Sequence, residues 1–524
     1  MISLIPGRVE QSCFLAALLV CSCGGGGTTG PSGSNASGGA FGTIAEESPQ
    51  TPIIDGAGAQ GSTYPGETEQ ASSFRTPVVS GRYLWTANPT SGRVALIDAL
   101  SLTTRIVAAG LFPTYLAALP AQPESPKALV LNTGSSDATL LSLEGDDVRT
   151  RRVPTQVGAN RLAVDASGRF AAAWSAGEPT ELDPTEGFQE VTLIELSPDG
   201  PETRRLTVGY RPSLLLFDDH QERLVVVAAR GVSLIDLESA ADEWVELEDR
   251  PGRDVSITPD GRYALLGWAG SPEVEVLALD SPTERVVLTL PGPVTDLDLA
   301  ASGRAVAVVR EQSLVATFLV NEVVSDVAAV QTQTIAGELV GSVELSDSGD
   351  RAVLYDSAFG SQRVSIVELA PGDDFLSYRT LDTEAPVQSV AIAPGGAHAV
   401  TVGRGIEGSS SGSFSILSLL ERRFPRVVGT TGSVRQVALS DRFGVVTAAT
   451  EDNRSEVHLA VLSELASEAI RLASPPSAAG VVPDTELGFV SQEHPEGRVT
   501  FFEFSGGQAR TLTGFELSAE VVER

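Results

Sequence analysis

Few residues in this chain of 524 are of a type that performs chemistry. Four are histidines: His220, His398, His458 and His494. None stands at a metal-ligand spacing from another, so no zinc centre is expected. The acid runs "EGDD" at Glu144 and "PGDD" at Pro371 lack the alternating carboxylates of a calcium loop. "GSSSG" from Gly408 to Gly412 matches the letters of a nucleophile elbow, but no helical pattern follows it, and that chemistry needs a strand-to-helix turn. Cys13, Cys21 and Cys23 all lie in the first 23 residues, so the rest of the chain has no thiolate nucleophile and no disulfide. The expectation is no catalytic constellation, no metal and no cofactor.

Binding chemistry is better represented. "SAGEPTELDPTEGFQE" carries Glu178, Glu181, Asp183, Glu186 and Glu190, and "GRGIEGSSSG" carries Arg404 and Glu407. Trp85, Trp174 and Trp268 stand near the same kind of loop. An aromatic rim with carboxylates suits a sugar, a peptide or a cation. The plainer alternative is that the tryptophans fill packing gaps and the acids are solvated. A formal charge of −32, with Lys127 the single lysine, excludes a nucleic-acid partner, whose phosphates need basic side chains.

The elements that would position these residues repeat. A short apolar run recurs about every 45 residues by the period of the pattern: "YLAAL" at Tyr115, "RLAVD" at Arg161, "DVSIT" at Asp254, "TDLDL" at Thr295, "GSVEL" at Gly341. Small residues such as Ala117, Ala163, Ser256 and Ala438 suit a crowded inner edge. A turn follows, as in "TPDGR", where Pro259 presets φ and Gly261 can take the left-handed position. A third element is apolar on both faces, as in "RVALIDA", "VTLIEL", "VSLIDL" and "VSIVEL", which fits a strand covered on each side. A fourth is polar, as expected of an exposed edge. "LSELASEAIRLA" has helical spacing but falls where the unit expects a turn and a fourth strand.

Ten such units give an all-β chain of four-stranded antiparallel blades. "YLWTANPTSGRVALIDALSLTTRIVAAGLFPTYLAAL" and "SITPDGRYALLG" resemble the YVTN-type β-propeller repeat, over residues 74–524. The count of ten units makes a single ring of eight to ten blades the expectation, with two smaller rings as the other arrangement. The resemblance implies that loops between second and third strands share a face with the connections between blades. Lactonase-like relatives make a hydrolase the alternative function.

The front end reads as an address. Residues 13–20 form an apolar run too short to cross a bilayer. "LLVCSC" followed by "GGGG" resembles a bacterial lipobox, with Cys23 the lipidated residue and Cys21 the alternative. No Asp follows either cysteine, which by the same resemblance implies the outer membrane, facing the periplasm or the surface. Residues 24–73 are rich in Gly, Ser, Thr and Pro and read as a disordered tether with an r.m.s. reach of roughly 40 Å. The expected domains are thus 1–23, 24–73 and 74–524. The expected function is a lipid-anchored binding or scaffolding protein, with a protein or small molecule held on one propeller face.

Overall fold

The computed structural model describes residues 74–516, apart from 121–124, 177–187, 198–199, 219–221, 248–252, 282–283, 370–375, 404–410 and 451–453. Every described residue belongs to one compact unit within Ile54–Arg524.

That unit holds ten four-stranded antiparallel sheets, each built from one continuous segment with its strands in chain order. Blade 1 spans residues 78–108, blade 2 113–154, blade 3 161–207, blade 4 214–246 and blade 5 253–289. Blade 6 spans 296–334, blade 7 342–382, blade 8 387–429, blade 9 433–471 and blade 10 476–513. The helically spaced segment of blade 9 is a 3₁₀ turn at Leu462–Glu464 and a strand at Ala466–Arg471. Here the sheet edge overrides the local pattern. Among the described residues helix is confined to short turns such as Val320–Val323 in blade 6.

The hairpin joining first and second strands has the same geometry in five blades. Gly168, Gly261, Gly303, Gly349 and Gly396 all have φ between +62° and +80°. Each donates its N–H to the carbonyl three residues back, for example Gly261 to Thr258 at 2.7 Å. A side chain is strained at that φ, which is why the turn is written with glycine.

Second and third strands are buried on both faces, as in "YLWTAN" and "RVALID" of blade 1. Fourth strands are polar and open, as in "DVRTRRVP" of blade 2. Each buried face packs on the next blade. One apolar cluster joins blades 3 and 4, another blades 4 and 5, and the series continues without a gap to blades 9 and 10. Blades 1, 2 and 3 are joined in the same way.

The tenth junction closes the circle. Leu84, Ala95 and Ile97 of blade 1 share a core with Leu487, Phe489, Val499 and Phe501 of blade 10. Phe74 meets Phe515 edge-on, with ring centroids 5.2 Å apart. The amide nitrogen of Asn88 donates to a Glu516 carboxylate oxygen at 2.5 Å. Among the described residues no strand is exchanged between the first and last blades, so side-chain packing and side-chain hydrogen bonds close the seam. The ten units therefore make one ten-bladed β-propeller, and neither a smaller ring nor a pair of rings.

Arginine reinforces the junctions. Arg105, Arg204, Arg379 and Arg510, all on fourth strands, donate to backbone carbonyls where third strand meets fourth in the next blade: Asp146, Leu237, Ser418 and Leu100. A planar fork with several donors can reach two carbonyls at once, which an ammonium does less well.

Candidate functional site

First strands of neighbouring blades stand side by side round the channel, and those of blades 5 to 7 are acidic. Asp296 and Asp298 sit two residues apart on the first strand of blade 6, so both project to one side. One oxygen of each accepts its own following amide, Leu297 at 3.0 Å and Leu299 at 2.8 Å. The other oxygen of each accepts an amide of blade 7, Val343 and Leu345, both at 2.8 Å. Thr295 adds a bond to the Gly341 carbonyl at 2.9 Å. The pair caps the otherwise open edge of the neighbouring strand, as a sheet edge requires.

Asp254 of blade 5 and Glu344 of blade 7 complete the group. Burial pushes the Asp296 carboxyl up to about 6; Asp298 and Asp254 push the same way, while the Val343 and Leu297 amides oppose. Burial also raises Asp254. The Tyr355 phenol, at the end of the second strand of blade 7, is raised by burial and then by the charges of Asp296, Glu344 and Asp298. Perturbed groups from three blades thus feel one another's charge, the electrostatic signature of a candidate site. Among the described residues no group of three or more His, Cys, Asp or Glu could hold a metal ion.

A half-buried ion pair stands beside this group. The Arg310 Nε of blade 6 lies 2.7 Å from the Asp356 carboxylate of blade 7, whose side chain has no exposure. Gly341 has no room for a Cβ, which would lie 2.3 Å from both partners. Elsewhere round the channel, first strands carry an extra residue near their start. Register slips at Thr114, Gln388, Arg435 and Ser477, in blades 2, 8, 9 and 10. Such bulges re-aim side chains, and Gln388 and Arg435 are exposed. The channel thus pairs an acidic arc with a polar arc that includes a cation.

The residues singled out in the sequence lie elsewhere. Trp85 packs between blades 1 and 2, Trp174 between blades 3 and 4, and Trp268 between blades 4 and 5. They are 0%, 7% and 5% exposed, so these rings fill separate junctions and do not form an aromatic rim. The reason is volume: wedge-shaped gaps between blades take the largest side chains. The Nε1 atoms of Trp85 and Trp174 are buried without a hydrogen-bond partner. Trp244 is the tryptophan that reaches solvent, its ring covering Gly209 and Gly231. Glu178, Glu181, Asp183, Glu186, Arg404 and Glu407 lie outside the described residues, as does His220.

The other histidines are dispersed. His398 begins the second strand of blade 8, and burial lowers its pKa. His458 is on the third strand of blade 9, with Nε2 3.1 Å from Glu456 and its ring edge-on to Phe414. His494 lies 3.5 Å from Glu496 in blade 10. A cavity of about 300 Å³ lies between blades 3 and 4, bordered by Arg169, Glu195, Glu202, Arg204 and Glu238, away from the acidic arc.

No family model matches the chain, and no curated protein matches it. Solved structures do resemble it. A dihydro-heme d1 dehydrogenase, NirN, in complex with DHE is 14% identical, with a TM-score of 0.42, over 78% of this chain and 76% of that one. A eukaryotic initiation factor is 10% identical, with a TM-score of 0.46, over 85% and 96%. Hsv2 from Kluyvelomyces marxianus is 10% identical, with a TM-score of 0.37, over 59% and 96%. At these identities and TM-scores the likeness carries no function across.

Proposed function

We propose that the chain is a lipid-anchored cell-envelope propeller that binds or scaffolds another molecule at its channel mouth. One observation carries the binding half: Asp254, Asp296, Asp298 and Glu344, from three successive blades, share one stretch of channel wall. Such a wall favours a basic protein segment or a small cationic molecule, and disfavours nucleic acid. The anchor half rests on "LLVCSC" and the polar stretch of 24–73. Acylation at Cys23, with Cys21 as the alternative, would supply the several chains that stable attachment requires. The outer membrane, on either side, is the seat this reading gives.

Metabolic labelling with a tagged fatty acid tests the anchor. Wild type incorporates label, Cys21→Ala keeps it, and Cys23→Ala loses it. Loss in Cys21→Ala instead moves the site; an unlabelled wild type removes the anchor. A second reading, a lactonase-like hydrolase, has one observation in its favour. A carboxyl raised to about 6 inside a channel has the proton affinity of a general base. Lactone turnover by wild type that disappears in Asp296→Asn would select it; a stable partner recovered from solubilised membranes would favour binding.

A further inference from the structure

The turn joining third and fourth strands of blade 8 runs "LLERRFPR", residues 419–426. Phe424 at its tip is 91% exposed, the most exposed large apolar side chain among the described residues, and Leu420 is 55% exposed. Arg422, Arg423 and Arg426 surround it and are exposed as well, with Glu421 the single acid of the turn. This is a cationic tip on a protein with 68 acidic and 36 basic residues.

The tip is held firmly. Arg379 of blade 7 donates to the carbonyls of Ser418, at 2.7 Å, and Glu421. Arg423 donates to the Ser463 carbonyl of blade 9 at 2.9 Å and to Glu421 at 3.3 Å. Pro425 fixes the backbone beside the ring. Two neighbouring blades therefore brace a turn whose apolar residue faces water. Packing within the ring does not explain that exposure, since Leu419 of the same turn is the residue that enters the core.

We propose that this turn is a membrane-contact tip for an anionic lipid surface. Phe424 and Leu420 would enter the boundary between headgroups and acyl chains, the depth an interfacial apolar group reaches. Arg422 and Arg426 would hold lipid phosphates, which guanidinium groups match in shape and charge. The occupant is a bilayer because one apolar ring projects into solvent with cations around it, the complement of an apolar layer under anionic headgroups. The chain's overall negative charge does not prevent this, because salt screens charges beyond about 8 Å. Turns between third and fourth strands emerge at the end opposite the second-to-third loops. Contact through blade 8 therefore leaves the loop-bearing face open.

The test uses the full chain with Cys13→Ala, Cys21→Ala and Cys23→Ala, which carries no acyl group and no thiol. Phe424→Cys in that background takes a single environment-sensitive dye; Leu111→Cys, 63% exposed at the other end, is the control. Vesicles of phosphatidylethanolamine with phosphatidylglycerol should blue-shift the dye at 424 and leave it unchanged at 111. In flotation assays of the same cysteine-free chain, Phe424→Ser and the pair Arg422→Glu with Arg426→Glu should each weaken binding about tenfold. No shift at 424, an equal shift at 111, or undiminished binding by Phe424→Ser overturns the proposal. So does full competition by inorganic phosphate, which would mark a free-anion site. Because this chain cannot be acylated, failure here says nothing against the lipid anchor, and an unlabelled Cys23 says nothing against the tip.

Discussion

Phe501→Ala destabilises the propeller by about 3 to 5 kcal/mol, as truncation of a fully buried aromatic ring does. Phe501 lies on the third strand of blade 10, is 1% exposed, and packs against Leu84, Ala95 and Ile97 of blade 1 as well as its own blade. The size of the effect depends on closure. In an open chain of blades, the face of blade 10 that looks toward blade 1 would be wet, and shortening its side chains would cost little. Phe318→Ala, in the core between blades 5 and 6, is the matched control at 2% exposure. Denaturant melts of both variants should lose similar stability. A loss below about 1 kcal/mol for Phe501→Ala beside a full loss for Phe318→Ala would show an unsealed junction.

Stability should fall as pH rises from about 4 to 7, through the titration of Asp296. Its carboxyl is pushed from 3.8 up to about 6 in the fold. The neutral form is therefore the one the fold favours. That contribution is fully present below 3.8 and is lost as pH rises through about 6. A shift of this size corresponds to about 2 to 3 kcal/mol. Asp296→Asn removes the ionisation but keeps a single acceptor for the two amides, Leu297 and Val343, that the carboxylate now serves. The variant should therefore be less stable than wild type near pH 4.5 and equal or better near pH 7.5, with a flattened profile between. Asp298→Asn should lower the midpoint toward ordinary carboxylate values, because the charge of Asp298 contributes to the shift. An unchanged profile in Asp296→Asn would show that the acidic arc does not interact as the geometry requires.

The architecture is written locally. A third strand such as "VSLIDL" must be covered on both faces, and a turn such as "TPDGR" must close a hairpin within a few residues. Ten repetitions of those two facts give the blades. The seam is not local. Asn88 and Glu516 are 428 residues apart, and nothing near either one announces the other. Eight, nine or ten blades all bury the same third strands, so the ring number waits for the last junction.

The site was harder to see for a related reason. In "TDLDL" the alternation of Asp296 and Asp298 reads as a strand with one polar face. Their use, capping amides of Val343 and Leu345, depends on which blade stands beside them. The tryptophans misled in the other direction. Their place near strand ends suggests a rim, but a large ring at a blade junction is held by volume, and Trp85 is completely covered. Phe424 showed no sign in the sequence, because one aromatic residue in a turn acquires meaning only from its exposure.

Amide hydrogen exchange round the ring tests the closed circle most directly. If side-chain packing seals the seam, the second and third strands of blade 1 (83–98) and blade 10 (487–503) exchange as slowly as those of blade 5 (263–278). Fast exchange confined to blades 1 and 10, with blades 4 to 7 still protected, would contradict it.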